Sequence, residues 1–332
     1  MSFSTPSFWY RPPGLLSASL APLGWIYASV TAWRLRQTTR RLPIPVICIG
    51  NVTAGGGGKT PVARFVFERI RSLNPAARPY FLSRGYGGSL SGPVKVEPSH
   101  HTADQVGDEP LLLASTGTCL VAKDRQAGAN AAVEAGASIL ILDDGMQNPA
   151  PPKDLTLLTV KGQRGFGNGL AIPAGPLREK LAAGLNRADA LISIGTPDHP
   201  SLQNLSPVLG HYEPLGEAVK KLKTGNWVSV AGIADPASFA SLLRANEVTL
   251  VDRIELADHA RLSDKSMAGF AKRAARQSAQ LVLTEKDWVR LNPVWREQVE
   301  YLPIKLAFAD EACLDSLLLP LLDLVEEGPY GA

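Results

Sequence analysis

The 332-residue chain predicts an α/β protein: a parallel-sheet domain, a second, smaller α/β domain, and an apolar helix ahead of both. Three observations point there. From residue 44 onward, short continuous apolar runs alternate with amphipathic stretches, which is how strands covered on both faces by helices read. The alternation begins afresh near Val208, and the stretch Thr196–Tyr212, rich in Pro, Ser, Asn and Gly, reads as the link between two α/β domains. Ahead of it all, no charged residue occurs from Pro12 to Trp33. These features divide the chain into residues 1–36, 37–205 and 206–332.

The N-terminal segment PPGLLSASLAPLGWIYASVTAW lies between Arg11 and the cluster Arg34, Arg36, Arg40 and Arg41. A span of about 20 apolar residues can cross a bilayer. Pro22 and Gly24 dilute this one, while Trp25, Tyr27 and Trp33 suit the membrane interface. The arginines stand where a signal peptide would be cut. The expectation is a membrane-seated helix, spanning or lying in the interface, with the arginines on the cytoplasmic side. A helix buried in a soluble fold is the competing reading.

Composition narrows the rest. With 45% hydrophobic and 20% charged residues the chain can bury sizeable cores. A net charge of +3 gives no argument for nucleic acid as a partner. Cys48, Cys119 and Cys313 are far apart in apolar surroundings and form neither a disulfide framework nor a metal-ligand spacing. They read as small buried hydrophobes in a reducing compartment, which puts the folded body in the cytoplasm.

The expected strands of the first series are Ile44–Ile49, Arg78–Leu82, Thr118–Ala122, Ser138–Leu142, Leu155–Val160 and Ala188–Ile194. Between them fall helical patterns at Pro61–Ser72, Glu109–Ala114, Arg125–Ala135 and Leu177–Arg187. The second series has strands at Trp227–Ala231, Leu250–Glu255, Gln280–Leu283 and Ile304–Phe308. Its helices are Pro236–Arg244, Asp264–Ala275 and Glu311–Leu319, the last stopped by Pro320.

The strongest local signal follows the first strand: Gly50-Asn-Val-Thr-Ala-Gly-Gly-Gly-Gly-Lys-Thr-Pro61. Strand, glycine-rich turn, Gly-Lys-Thr and helix in that order are the context of a phosphate-binding P-loop. Glycines let successive N–H groups turn toward phosphate oxygens, and the helix start adds a favourable dipole. Lys59 is expected on the β- and γ-phosphates and Thr60 on Mg²⁺. The usual first glycine is replaced by Thr53, and Gly55, Gly56, Gly57 and Gly58 supply the flexibility instead. At Ser138-Ile-Leu-Ile-Leu-Asp-Asp-Gly145 a buried strand ends in two carboxylates, on the edge where open α/β sheets bind ligands. Asp143 or Asp144 is expected to hold Mg²⁺, against the simpler reading of an ordinary Asp-Gly turn.

Other motifs are weaker. Ser83-Arg-Gly-Tyr-Gly-Gly88 follows a strand; Arg84 could meet phosphate and Tyr86 could stack, or the run is a structural turn. In Gly107-Asp-Glu-Pro110, Asp108 sits near an N-cap and Glu109 in a first turn, so capping explains both. A kinase, however, needs a carboxylate near its acceptor hydroxyl. His100, His101, His199 and His211 read as surface or turn residues, and Asp258-His259 alone says little. Thr284-Glu-Lys-Asp287 puts charge at a strand's carboxyl end, or simply starts a helix.

In order, these motifs resemble the tetraacyldisaccharide 4′-kinases, the lipid A 4′-kinases of Gram-negative bacteria. The resemblance also takes in Ala122-Lys-Asp-Arg125, Asp143-Asp-Gly145 with Gln147, Phe166-Gly-Asn-Gly, Pro173-Ala-Gly-Pro-Leu-Arg-Glu179 and Ala231-Gly-Ile-Ala with Pro236. It implies ATP- and Mg²⁺-dependent phosphorylation of the 4′-hydroxyl of tetraacyldisaccharide 1-phosphate, giving lipid IVA. It further implies an active site in the cleft between the two domains, a lipid-linked disaccharide substrate, the cytoplasmic face of the inner membrane, and no obligate protein partner. By motif, Asp108 is implied as base with His259 supporting it, Glu109 and Asp143 as Mg²⁺-site residues, and Asp144 as their neighbour. The family's Asp-Asp-Gly-Phe-Gln-His is Asp143-Asp-Gly-Met-Gln-Asn148 here, and its Pro-Asp-His-His is Ala257-Asp-His-Ala260. Two other readings fit a P-loop: a kinase or ligase of a soluble metabolite, active without lipid, and a membrane-associated nucleotide switch with no phosphorylated small-molecule product.

Overall fold

A computed structural model describes residues 6–233, 235–257 and 260–326. Its strands are β1 (Val46–Gly50), β2 (Pro79–Ser83), β3 (Val94–Lys95), β4 (Cys119–Val121), β5 (Ile139–Asp143), β6 (Leu155–Lys161), β7 (Ala190–Ile194), β8 (Val208–Pro214), β9 (Asn226–Ala231), β10 (Thr249–Glu255), β11 (Gln280–Thr284), β12 (Glu300–Leu302) and β13 (Ile304–Phe308). Its α-helices are α1 (Leu15–Leu35), α2 (Lys59–Leu73), α3 (Ala103–Val106), α4 (Asp108–Ala114), α5 (Arg125–Glu134), α6 (Leu181–Leu185), α7 (Gly216–Leu222), α8 (Pro236–Ala245), α9 (Asp264–Ala275), α10 (Glu285–Trp288), α11 (Pro293–Gln298) and α12 (Ala312–Glu326). The chain forms two compact units, Thr5–His211 with Leu306–Ala332, and Tyr212–Lys305.

The larger unit is built on a nine-stranded sheet in the order β13-β8-β7-β6-β1-β5-β2-β4-β3. From β7 to β4 every neighbouring pair is parallel, and β3 closes that edge antiparallel to β4. The chain leaves central β1 toward β2 on one side and returns as β6 on the other. In open α/β sheets such a reversal is where ligands bind, beyond the strands' carboxyl ends. Apolar runs such as Ile139-Leu-Ile-Leu142 are fully buried because helices cover both faces.

Several expectations for this unit change. Ile304–Phe308 is not part of the second series; it lies beside β8 at the edge of the large sheet. The stretch Thr196–Tyr212 is not all linker, since it contains most of β8. Only Gly210 of β8 is buried, so the strand lacks the continuous apolar run that marked the others. Gly210 lies against Phe308, whose ring meets Phe65 of α2 edge-on at 4.5 Å. Finally, Pro320 does not stop the last helix: α12 runs through it to Glu326. Leu314 and Leu318 before the proline and Leu321 and Leu322 after it are all buried. Continuing that apolar face offsets the one backbone hydrogen bond the proline forfeits. Arg69 of α2 ties the helix start, donating to Asp315 at 2.6 Å and pairing with Glu311 at 2.9 Å. Cys313 is exposed, whereas Cys48 and Cys119 are buried as expected.

Helix α1 is inverted relative to a soluble helix. Its buried residues are small: Ser17, Gly24, Ala28 and Thr31. Its large apolar residues face outward, with Leu15 94%, Trp25 67%, Ile26 62% and Trp33 66% exposed. The small residues let α1 approach closely: a Cβ on Gly24 would come within 2.7 Å of the Ala171 carbonyl oxygen. The preceding turn is pinned by the Trp9 indole, which donates to the Pro173 carbonyl at 3.0 Å.

The smaller unit has a four-stranded, all-parallel sheet in the order β10-β9-β11-β12. One apolar cluster holds Trp227, Phe239, Leu243 and Leu302. Another holds Val228, Met267, Leu281 and Leu291.

Candidate active site

The glycine loop leaves β1 and enters α2 at Lys59. Gly58, the helix N-cap, has φ +78°, a left-handed conformation that costs an L side chain energy but suits glycine. Lys59 and Thr60 are both buried at the helix start. Register then brings in the carboxylates: Ile49 of β1 pairs with Asp143 of β5. The two adjacent aspartates have opposite environments. Asp144, itself at φ +56°, donates its N–H to the Ile49 carbonyl at 2.9 Å. Its carboxylate lies 3.8 Å from Lys59 Nζ and accepts from Arg178 Nη1 at 2.8 and 3.0 Å. Burial raises its pKa, but Lys59 and Arg178 together outweigh burial and hold the group below the usual carboxylate range.

Asp143 is 1% exposed, and neither carboxylate oxygen has a hydrogen-bond partner among the described residues. Burial, then the charge of Glu109, pushes its pKa up to about 8. A buried carboxylate with nothing bonded to it is costly unless a cation shares the site. Oxygen donors beside a phosphate loop are what Mg²⁺ takes. Among the described residues no three carboxylates, histidines or cysteines are grouped as a metal cluster, so of the expected Thr60, Glu109, Asp143 and Asp144 the unbonded Asp143 is the one that could take such an ion, beside a nucleotide's own phosphates.

A brace behind the loop was not assigned from the sequence. Arg125, 4% exposed, donates to the carbonyls of Leu82, Asp143 and Asp144 at 2.9, 2.9 and 3.0 Å, locking the ends of β2 and β5. Gln147 donates to the Asn51 carbonyl at 2.8 Å and to Glu179 at 2.9 Å, and Glu179 also accepts from Arg187 at 2.6 Å. The expected helix Leu177–Arg187 shortens to Leu181–Leu185 for the same reason. Leu177 bridges to Thr53, the Arg178 N–H donates to Val52 O at 2.7 Å, and the Ala54 N–H donates to Pro176 O at 2.7 Å. The signal available in advance was the polar end of an otherwise apolar run, Leu177-Arg-Glu179.

The loop after β2 lies against α3 and the glycine that caps α4. Ser89 and Leu90 donate N–H groups to the carbonyls of Asp104 and Gln105 at 3.0 and 2.9 Å. A Cβ on Gly107 would meet the Tyr86 carbonyl at 2.6 Å. Arg84 and Tyr86 are exposed on this loop, Tyr86 at 83%. The N-cap of α4 is Gly107, with Asp108 and Glu109 in the first turn, so Asp108 is a helical residue and not the cap. The larger unit thus brings Thr53, Gly55–Gly58, Lys59, Thr60, Asp143 and Asp144 to the ends of β1 and β5 and the start of α2, with Glu109 close enough to act on Asp143. His259 lies outside the described residues.

Residues 16–323 match the family model described as tetraacyldisaccharide-1-P 4′-kinase. A tetraacyldisaccharide 4′-kinase of Rhodospirillum centenum is 45% identical over 327 residues, covering 96% of each chain. One from Dinoroseobacter shibae is 46% identical over 325 residues, covering 94% of this chain and 96% of its own. Among solved structures, LpxK from Aquifex aeolicus in complex with ATP superposes with a TM-score of 0.74 at 24% identity, covering 92% of this chain and 99% of that one. At that identity the likeness is one of fold.

Proposed function

The chain belongs to the tetraacyldisaccharide-1-P 4′-kinase family, and from that premise we propose that it moves the γ-phosphate of ATP onto the 4′-hydroxyl of a tetraacyldisaccharide 1-phosphate, giving the 4′-phosphorylated lipid A precursor. The observation that carries this is the buried, unbonded Asp143 next to the Lys59–Asp144 ion pair at the glycine loop, an arrangement with the charge of a metal–nucleotide site.

Backbone N–H groups of the loop and the Lys59 ammonium neutralise the polyphosphate. Lys59 is kept at the loop by Asp144, and Asp144 is itself held by Arg178, so the ammonium is oriented before a nucleotide arrives. Asp143 and Thr60 would hold a Mg²⁺ ion, which would supply further charge neutralisation for the polyphosphate. Asp108 accepts or orients the proton of the attacking hydroxyl, and His259 tunes that carboxylate. Positioning dominates phosphoryl transfer, so the carboxylate acts by where it stands. Arg84 and Tyr86, exposed beside the start of α4, are assigned to the acceptor.

The outward apolar face of α1 supports seating at a membrane. The helix is 21 residues long, about 31 Å at 1.5 Å per residue, enough for a hydrocarbon core. We place the active face on the cytoplasmic side of the inner membrane, where Arg34, Arg36 and Arg40 meet anionic head groups. No obligate protein partner is proposed. The reaction is tested with γ-labelled ATP and acylated disaccharide 1-phosphate in detergent. Label is expected in the lipid phase; label found only in inorganic phosphate contradicts the proposal.

A further inference from the structure

Behind the glycine loop lies a buried carboxylate to which the reaction above gives no part. Glu179 is 2% exposed. Its Oε1 accepts from Gln147 Nε2 at 2.9 Å, and its Oε2 accepts from Arg187 Nη2 at 2.6 Å. Gln147 carries the contact onward. Its Nε2 also donates to the Asn51 carbonyl at 2.8 Å, just past β1, and its Oε1 accepts from Arg178 Nη1 at 3.3 Å. The same Arg178 nitrogen donates to both carboxylate oxygens of Asp144, which faces Lys59. Arg187, Glu179, Gln147, Arg178, Asp144 and Lys59 thus form one chain of hydrogen bonds and ion pairs within the larger unit.

The chain has a direction. A carboxylate and a backbone carbonyl only accept, and a guanidinium only donates, whereas an amide does both from opposite ends. Glu179 and the Asn51 carbonyl together select the donor end of Gln147, which leaves its oxygen for Arg178. Replacing the Glu179 carboxylate by an amide of the same size removes that selection. Arg187, tethered to the Ala183 carbonyl at 3.1 Å, would take the amide oxygen in a charge-assisted bond. The new NH₂ would then face the NH₂ of Gln147. Turning Gln147 over relieves that clash, but it sets oxygen against the Asn51 carbonyl and NH₂ against Arg178. A fault at Glu179 therefore travels to the partner of Lys59, because each link fixes the polarity of the next.

We infer that Glu179 is a positioning residue for ATP binding: by fixing which way the Gln147 amide faces, it holds Arg178 and Asp144 in place and keeps the Lys59 ammonium at the glycine loop. The inference rests on the nucleotide role given to that loop above. Glu179 touches no substrate in this assignment. It acts before the nucleotide arrives, so its effect falls on ATP affinity and not on turnover once ATP is bound.

A double-mutant cycle on the full-length protein in detergent tests it, with Mg²⁺–ATP affinity and kcat at saturating ATP as the two readouts. Glu179→Gln is expected to weaken ATP binding roughly twofold to tenfold, the cost of ordering a loosened side chain on binding, with kcat at the wild-type value. Gln147→Met, which removes the amide and keeps the length, is expected to weaken it by a similar factor. In the Gln147→Met background, Glu179→Gln is expected to weaken ATP binding no further, because the amide through which it acts is gone. Wild-type affinity in Glu179→Gln, or a full additional loss in the double variant, overturns the positioning role. If Glu179→Gln fails to fold, Gln147→Met carries the test, and wild-type affinity in that variant overturns the role. Lys59→Ala separates this from the reading of the loop itself. Weakened ATP binding in Lys59→Ala beside wild-type affinity in Glu179→Gln removes the positioning role alone. Wild-type affinity in Lys59→Ala removes the lysine's nucleotide role, and the positioning role falls with it.

Discussion

At the scale of single residues, Asp143 and Asp144 show how one strand end yields two carboxylates of opposite character. Asp144 faces Lys59 and Arg178 and stays charged. Asp143 is desolvated and unbonded, and its folded-state pKa of about 8 lies well above the unfolded carboxylate value. The sign follows from linkage: a raised pKa gives stability that is full below the unfolded value and is lost as pH rises through the folded one. With Mg²⁺ chelated, wild-type stability should therefore fall between about pH 4, the unfolded Asp value, and the folded value of about 8. Asp143→Asn, with no charge to bury, should gain in Tm over wild type more at pH 8 than at pH 5, and Mg²⁺ should narrow the gap by stabilising wild type alone. A Tm difference independent of pH contradicts this. Arg125 makes a second residue-scale prediction. Arg125→Met leaves three carbonyls, two of them buried, without their donor, which should cost about 3 kcal/mol in urea unfolding. Its role was illegible in the sequence, because it bonds to carbonyls 18 to 43 residues away. The glycine loop was legible because strand, turn, lysine and helix are neighbours in the chain.

At the scale of elements, α1 divides its two jobs between two faces. Gly24, Ala28 and Thr31 set its distance from the body, and Trp25, Ile26 and Trp33 face away. Gly24→Val should lower Tm, since the Ala171 carbonyl lies where a Cβ would go. Trp25→Asp with Ile26→Asp should leave Tm unchanged yet cut co-sedimentation with anionic vesicles, because charge replaces the apolar contact. Equal vesicle binding by the double Asp variant contradicts the membrane assignment. The length and uncharged character of this helix could be read from its residues. Which face is buried could not, since the small residues that pack inside carry no hydropathy signal. The shortened α6 has a similar origin: Leu177 looks like a helical residue and is spent on a bridge to Thr53.

For the whole molecule, the order of strands matters more than any one motif. Parallel pairing of β1 with β5 and of β5 with β2 sets the glycine loop, the aspartate pair and the Arg84 loop at neighbouring strand ends, although they are scattered over about 100 residues. Most strands announced themselves as apolar runs. Strand β8 did not, because it is half exposed, and β13 looked like the close of the second series because nothing local marks a return to the first sheet. All functional assignments depend on the glycine loop holding ATP for transfer assisted by Asp108. The most direct measurement is single-turnover label transfer from ATP to the acylated disaccharide 1-phosphate, read alongside ATP affinity, in wild type, Lys59→Ala and Asp108→Ala. Both variants should lose transfer by at least about a hundredfold, with ATP affinity weakened in Lys59→Ala and retained in Asp108→Ala. Transfer at the wild-type rate by folded Lys59→Ala protein would contradict the account.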